Sequence, residues 1–129
     1  MLFRSKSLST YNTPNRYQTS SVVNFITPSG YPYQTKLDPG VFDVTLYANV
    51  DVDTGGRECY LFVRLYSRSS DGTETAIAES DGSSKLTTVL TDYSFQIIIA
   101  QPVVLNVTDR LFIEIYAVHR GNSHTLTMK

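Results

Sequence analysis

The chain has 129 residues, of which 41% are hydrophobic and 12% aromatic, and its formal net charge at pH 7 is −1. This length and composition predict one folded domain with a single core and exclude a disordered chain. One cysteine excludes an internal disulfide framework, and no apolar run resembles a signal peptide or a membrane span. We therefore expect a soluble protein.

The start of the chain differs in charge from the rest. Residues 1–37 contain no acidic residue, whereas the remainder carries all 12 acidic residues. Residues 1–20 are polar and follow no period, which predicts an irregular basic arm before a β-sandwich domain over residues 21–129. The residues that we expect to anchor this arm on a partner are Arg4, Lys6, Tyr11, Arg16 and Tyr17. So few basic charges do not predict a nucleic-acid interface.

The strands begin with residues 21–26, after which proline and glycine predict a loop. Residues 41–52 and 59–68 then alternate apolar and polar side chains with a period of two, which a helix cannot present as one face. Between them, Gly55 and Gly56 tolerate the positive φ of a tight reversal. This pattern predicts that the two segments pair with each other as a β-hairpin.

Shorter segments follow, separated by turn residues such as Asp71-Gly72. The strands that we predict in this part of the chain are 73–79, 86–90, 93–100, 103–107, 110–120 and 124–129. The whole chain thus contains roughly seven to nine strands, with no helical stretch between them. Such a pattern predicts an antiparallel β-sandwich, of jelly-roll type.

Two of these strands are aromatic on the side that faces away from the predicted core, where a sandwich strand is ordinarily polar. The residues are Tyr60, Phe62, Tyr66, Phe112 and Tyr116, with Val118 beside them and Tyr47 on the strand 41–52. Monomers seldom tolerate an exposed apolar patch of this extent.

Three interpretations of this aromatic side are open. Loops or the arm cover it, copies of the chain meet on it, or it stacks on sugar rings through Tyr47, Tyr60 and Tyr66. We favour a subunit interface, with Arg64 and Glu114 as ion-pair partners inside it.

The residue types of an enzyme or a metal site are sparse. His119 and His124 are the only histidines, and no nucleophile motif accompanies them. Asp51, Asp53 and Glu58 flank the glycine turn without the spacing of a calcium loop. We expect neither catalysis nor a cofactor, and we expect Cys59 to be a buried apolar residue.

Three stretches carry a resemblance to known proteins: VNFITPSGYPYQTKLDPGVFDVTLYANV, YLFVRLYSRSSDGTETAIAESD and TDRLFIEIYAV. They resemble viral and phage virion structural domains of jelly-roll type, the β-sandwich family of fibre heads and capsid-associated proteins. The recurring elements fall at Pro39-Gly40, at 66–77 and at 108–117, and the match covers residues 23–129. The resemblance implies a trimeric domain on the virion surface and supplies no ligand-binding residue.

These observations together predict a non-enzymatic structural protein of a phage or virus particle. We expect a homotrimer whose N-terminal arm contacts other virion proteins and whose surface contacts a host receptor or glycan. A tail-fibre head and a minor capsid protein both remain open, and the irregular arm without a coiled-coil shaft favours the second. The alternative is a carbohydrate-binding module.

Overall fold

The chain folds into antiparallel β-strands, in a computed structural model that describes residues 9–12, 18–26, 35–121 and 125–128. Ten strands lie within these described residues. They are β1 (Ser9–Asn12), β2 (Gln18–Ile26), β3 (Lys36–Leu37), β4 (Gly40–Val50), β5 (Glu58–Arg68), β6 (Glu74–Glu79), β7 (Thr91–Ile99), β8 (Val103–Val104), β9 (Arg110–Arg120) and β10 (Thr125–Met128). None of the described residues form a helix of the length and apolarity that a membrane span requires.

Eight of these strands form two four-stranded sheets. Sheet A has the order β1-β10-β4-β7 and sheet B the order β2-β9-β5-β6, while β3 and β8 form a separate two-stranded ladder. All strand pairs are antiparallel. The predicted antiparallel β-sandwich is therefore confirmed.

The strand pairs are nested along the sequence, so that each pair lies between the two strands of the pair before it. β1 pairs with β10, β2 with β9, β3 with β8, β4 with β7, and β5 with β6. The chain is thus one long antiparallel hairpin, with its tip after β5, whose successive long pairs alternate between sheet A and sheet B. This rolled hairpin is the topology of a jelly roll.

The predicted hairpin between 41–52 and 59–68 is wrong. β4 pairs with β7 and β10 in sheet A, whereas β5 pairs with β6 and β9 in sheet B. Gly55 and Gly56 do adopt positive φ angles of 69° and 78°, as the sequence predicts. Their reversal carries the chain from one sheet to the other, because a period of two shows which side of a strand is buried and not which strand lies beside it.

The core lies between the two sheets. Sheet A contributes Leu46, Ala48, Val50, Phe95 and Ile97, and sheet B contributes Cys59, Leu61, Val63, Leu65, Leu111, Ile113 and Ile115. Cys59 is 1% exposed, and its burial raises the pKa of the thiol to about 12. The prediction that Cys59 is a buried apolar residue is confirmed, and at neutral pH the thiol stays protonated and unreactive.

Residues 86–90, a predicted strand, are not one. Residues 80–86 continue along β5 beyond the end of β6. There the backbone N–H groups of Ser80, Ser83 and Leu86 donate to the carbonyl oxygens of β5, which belong in the same order to Val63, Leu61 and Cys59, at 2.8, 2.8 and 2.9 Å. The hydroxyl oxygens of Ser80 and Ser83 in turn accept from the N–H groups of Val63 and Leu61. Serine side chains thus replace the carbonyls that a regular strand would supply, and sheet B has no open edge here.

The N-terminal segment is more regular than the sequence predicts. Within the supposedly irregular residues 1–20, Ser9–Asn12 forms β1 beside β10, and residues 18–20 belong to β2. Short polar strands of this kind lack an apolar period, and pairing with a neighbouring strand rather than sequence pattern defines them. The domain boundary at residue 21 stays a prediction.

Candidate functional site

The candidate site is the side of sheet B that faces away from the core. On β5 the buried residues alternate with Tyr60, Phe62, Arg64 and Tyr66, and on β9 with Phe112, Glu114, Tyr116 and Val118. The register sets these outward residues opposite each other as Tyr60–Val118, Phe62–Tyr116, Arg64–Glu114 and Tyr66–Phe112. We call these eight residues the aromatic face.

The rings of the aromatic face pack on one another within the single chain. Phe62 and Tyr116 stack with ring centroids 4.9 Å apart and an angle of 6° between the ring planes. Tyr66 and Phe112 meet at 5.8 Å with a tilt of 55°. Both arrangements are ones that aromatic pairs prefer, so the rings hold each other in fixed positions.

Hydrogen bonds continue this order through the polar atoms. The Arg64 Nη1 group donates to the Tyr66 hydroxyl at 3.1 Å, the hydroxyls of Tyr66 and Tyr116 lie 2.8 Å apart, and Tyr116 donates to Glu114 Oε2 at 2.6 Å. Because Tyr116 has a single hydroxyl proton and gives it to Glu114, Tyr66 is the donor in the bond between the two tyrosines. A directed chain of hydrogen bonds therefore connects a guanidinium to a carboxylate through two phenols.

Arg64 stands at the centre of the aromatic face. Its Nε and Nη2 atoms contact Glu79 Oε2 on β6 at 2.8 and 2.7 Å. The guanidinium carbon also lies 5.0 Å from the ring centroid of Tyr116 and 5.7 Å from that of Phe62, within cation–π range. The sequence predicts Glu114 as the partner of Arg64; the ion pair within the chain is with Glu79, whose place beside β5 depends on the pairing of β6.

These contacts raise two pKa values, and both move further from neutrality. Hydrogen bonds to Tyr66 and Glu79 raise the pKa of Arg64, so that it is always a cation. Burial, followed by the hydrogen bonds with Glu114 and Tyr66, raises the pKa of Tyr116 well above its ordinary value. Arg64 therefore stays charged and Tyr116 stays neutral across the physiological range.

The predicted interface residues do lie on one face. Tyr60, Phe62, Tyr66 and Tyr116 are half-buried, while Phe112 is 6% exposed and already covered within the single chain. Phe112 thus supports the Tyr66 ring rather than presenting surface of its own. Whether other copies cover the remaining rings stays a prediction.

Tyr47 does not belong to this face. It lies on β4 in sheet A, between the buried residues Leu46 and Ala48, and is 49% exposed on the opposite side of the sandwich. The three-tyrosine carbohydrate platform is therefore wrong, because Tyr60 and Tyr66 face away from Tyr47. The error follows from the predicted hairpin, which set the strands of these residues side by side.

The arm residues Arg4, Lys6, Arg16 and Tyr17 lie outside the described residues. The same holds for the side chain of Tyr11, although its backbone pairs with Leu126 in sheet A. Their anchoring role stays a prediction.

Other candidate chemistry is dispersed. Asp51 accepts a hydrogen bond from the Thr125 N–H at 2.7 Å, the Asp53 carbonyl accepts one from Lys85, and Glu58 pairs with Arg120 at 3.6 Å. Among the residues that the structure describes, no group of His, Cys, Asp and Glu side chains could hold a metal ion. His119 is buried on the core side of β9, and His124 lies outside the described residues.

No protein-family model matches the chain, and no curated protein is significantly similar to it. Among solved structures, the fold is similar to chains in the structures of infectious bursal disease virus, Gt strain and Gx strain. The first has 19% sequence identity and a TM-score of 0.45, the second 18% and 0.37. In both cases the alignment covers 95% of this chain and 31% of the viral chain, so this chain spans about a third of their length. Similarities this low do not show what the chain does.

Proposed function

We propose that this chain is a non-enzymatic structural protein of a virus or phage particle whose copies associate as a trimer through the aromatic face. The observation that carries the proposal is the row of Tyr60, Phe62, Arg64, Tyr66 and Tyr116 on the outward side of a sheet. Tyrosine and arginine are the residues that most often dominate binding energy at protein interfaces.

The geometry of the face supports association. The stacked rings and the hydrogen-bond chain hold the side chains in place before any partner arrives, so little conformational entropy is lost on binding. The charges of Arg64 are already offset by Glu79, so burial against another copy leaves no isolated cation. A second copy of the chain is the occupant that fits, because a face made largely of aromatic rings can pack on the same rings of another copy.

Two further observations support a virion. The jelly roll is an architecture that recurs in viral capsid proteins, and also in lectins. The motifs at 66–77 and 108–117 resemble virion structural domains, and in the fold they are the β5–β6 tip and β9. In the particle, the basic N-terminal arm would contact other virion proteins, as a minor capsid protein or as part of a tail, and an exposed surface would meet the host.

The association is tested by light scattering on the full chain and on two variants with matched charge changes. Tyr60→Glu introduces a carboxylate on the aromatic face, whereas Tyr47→Glu introduces one on the opposite side of the sandwich. We expect a trimer for the full chain and for Tyr47→Glu, and a monomer for Tyr60→Glu. A monomeric full chain at high micromolar concentration contradicts the proposal.

The role of the arm needs a truncation that leaves β1 in place, because β1 pairs with β10 in sheet A. A chain that begins at Ser9 removes Arg4 and Lys6 and keeps the ten strands of the described residues. We expect the truncated chain to form the same trimer. We also expect that it no longer binds virus particles that lack this protein, whereas the full chain binds them. Loss of the trimer instead would assign the contacts to the first eight residues.

A further inference from the structure

A pair of like charges lies at one end of the aromatic face. Arg68, the last residue of β5, stands directly opposite Arg110, the first residue of β9, and both continue the outward side that carries Tyr66 and Phe112. Residues opposite each other in an antiparallel pair have Cβ atoms about 5 Å apart, and like charges at that separation destabilise a sheet. A counter-charge is therefore expected near them.

The described part of the chain does not supply that counter-charge as an ion pair. Its ion pairs are Lys36–Asp38, Arg64–Glu79 and Arg120–Glu58, and none includes Arg68 or Arg110. Arg64, four residues before Arg68 on β5, shows the contrast, because Glu79 binds its guanidinium directly. Both remaining guanidinium groups keep N–H donors for an acceptor from outside.

Of the carboxylates nearby, Asp71 and one oxygen of Asp109 accept hydrogen bonds from other groups, and Glu74 stands beside Arg68. Asp71, in the turn after β5, accepts hydrogen bonds from the Ser69 hydroxyl and from the Thr73 N–H. Asp109, beside Arg110 in sequence, is 8% exposed and accepts from the Asn106 N–H at 2.9 Å. Glu74 is the neighbour of Arg68 on β6, without an ion pair between them among the described contacts.

The two arginines line a cleft of about 310 Å³, near the lower end of the range for small-ligand sites. Its other walls are formed by Ser69, Ser70, Gly72 and Thr108. Ser70 and Thr108 add hydroxyl groups, and Gly72 takes the positive φ of 89° that the turn requires. The cleft therefore joins two cations with neutral donors, in a recess that a small polar group can enter.

We propose that this cleft binds an oxyanion group, a phosphate, sulfate or carboxylate, between Arg68 and Arg110. The planar guanidinium presents its N–H groups as a fork that matches two oxygens of such a group, and two forks enclose it from both sides. Binding removes the repulsion between the arginines and occupies their donors. This site is separate from the proposed subunit contact, since it requires neither Tyr60 nor Phe62.

The test is calorimetric titration of the full chain with sodium phosphate and with sodium sulfate, against sodium chloride of equal ionic strength. We expect saturable binding of phosphate or sulfate, with the affinity about tenfold or more weaker in Arg68→Gln and in Arg110→Gln. Arg120→Gln is the matched control, because Arg120 lies on β9 at the opposite end of the same sheet side and pairs with Glu58. No binding above the chloride control, or equal weakening in Arg120→Gln, overturns the proposal.

Thermal unfolding gives a second test, in which the Tm of each variant with phosphate is compared with the Tm of the same variant without it. Phosphate should raise the Tm of the parent chain and of Arg120→Gln, and leave that of Arg68→Gln unchanged. Without phosphate, Arg68→Gln should unfold at the same or a higher temperature than the parent, because a repulsion is gone. A lower Tm in both arginine variants without any phosphate effect in the parent would overturn the site.

Sugar-borne anions distinguish the sources of the oxyanion. Sialyllactose presents a carboxylate and a sulfated disaccharide presents sulfate, each next to hydroxyl-bearing rings. Tighter binding of either than of the free ion, lost in Arg110→Gln, assigns the site to an anionic glycan, and equal binding assigns it to the ion itself. Failure of every probe, combined with oligomers that dissociate in Arg68→Gln and Arg110→Gln, would mean that a carboxylate of another copy fills the cleft, which also overturns the proposal.

Discussion

The two outward sides of the sandwich differ in chemistry although both are the alternate faces of long strands. On sheet A, the register sets Asp43 opposite Gln96 and Thr45 opposite Ser94, and these short polar side chains are exposed. On sheet B, half-buried rings stack and share hydrogen bonds. The core-facing positions of both sheets are equally apolar, so folding alone does not require the difference. The side of sheet A also carries the exposed Val41 and Ile98 opposite each other, so the two sides differ in the order of their side chains more than in polarity.

The largest expected effect comes from the corner that joins the two sheets. Gly121 connects β9 of sheet B to the segment before β10 of sheet A, with a φ of 86°, and a Cβ there would lie 2.5 Å from the carbonyl oxygen of Gly56. Gly121→Ala adds strain at positive φ to a clash with backbone, and we expect it to lower the free energy of unfolding by about 3 kcal/mol or more.

Chemical denaturation measures that loss. Gly56→Ala is the informative control, because Gly56 also has positive φ but its Cβ would meet nothing within 4 Å. It should cost only the backbone strain, about 1–2 kcal/mol. Equal effects of the two substitutions would show that the close approach of the two turns is unimportant.

The second prediction compares tyrosines on the two sides. Tyr116→Ala removes a ring stacked on Phe62 and the middle of the hydrogen-bond chain, and we expect a loss of about 2–3 kcal/mol. Tyr47→Ala removes a ring that is 49% exposed on sheet A, and we expect a change within about 0.5 kcal/mol.

Urea unfolding of both variants decides between these expectations. To separate stability from association, it is measured on a Tyr60→Glu background, which we expect to be monomeric. Similar losses at positions 116 and 47 would mean that the aromatic face adds no stability of its own.

The third prediction compares serines. Ser80 is 7% exposed, and its hydroxyl accepts from the Val63 N–H at 3.0 Å at the edge of β5. Ser80→Ala leaves this buried donor without its acceptor, with an expected cost of about 1–2 kcal/mol. Ser94→Ala removes an exposed bond to Thr45 on sheet A and should cost less than about 0.5 kcal/mol.

Amide hydrogen exchange locates the effect as well as measuring it. In Ser80→Ala the amide of Val63 should exchange faster, while the amides of β9 on the other side of β5 keep their protection. A uniform increase across sheet B would instead indicate loss of global stability.

The sequence predicts some properties of the fold, such as strand positions and buried sides, and not others, such as strand pairing. The period of two in β4, β5 and β9 predicts the strands and their buried sides, because burial of alternate residues is a local requirement. The period does not predict which strands pair. Gly55-Gly56 resembles the turn of a hairpin, but the pairing of β4 and β5 with other strands around the shared core places them in different sheets.

The same distinction between position on a strand and pairing of strands applies to the candidate site. The aromatic face was predictable because Tyr60, Phe62 and Tyr66 repeat at alternate positions of one strand, and Tyr116 does so on another. The Arg64–Glu79 pair and the Arg68–Arg110 pair were not, because they depend on the register of β5 with β6 and β9. Charges become partners or competitors only when a register is defined.

The smallest expected effect concerns pH and applies only to sheet B. Burial and the hydrogen bonds of Tyr116 raise its pKa above the value of 10.0 that an unfolded tyrosine has. Between these two values the unfolded chain loses the proton while the folded chain keeps it, so unfolding releases a proton. The contribution of Tyr116 is therefore fully present below pH 10 and declines as the pH rises beyond it.

Unfolding free energies from pH 8 to 11 reveal this slope, with Tyr116→Phe as the reference. The phenylalanine keeps the ring on Phe62 and has no proton to lose, so it should be less stable than the parent at pH 8 and approach it above pH 10. Parallel curves for the parent and Tyr116→Phe would mean that the hydroxyl of Tyr116 is not held by Glu114, and the directed chain of hydrogen bonds that distinguishes the two sides would lose its end.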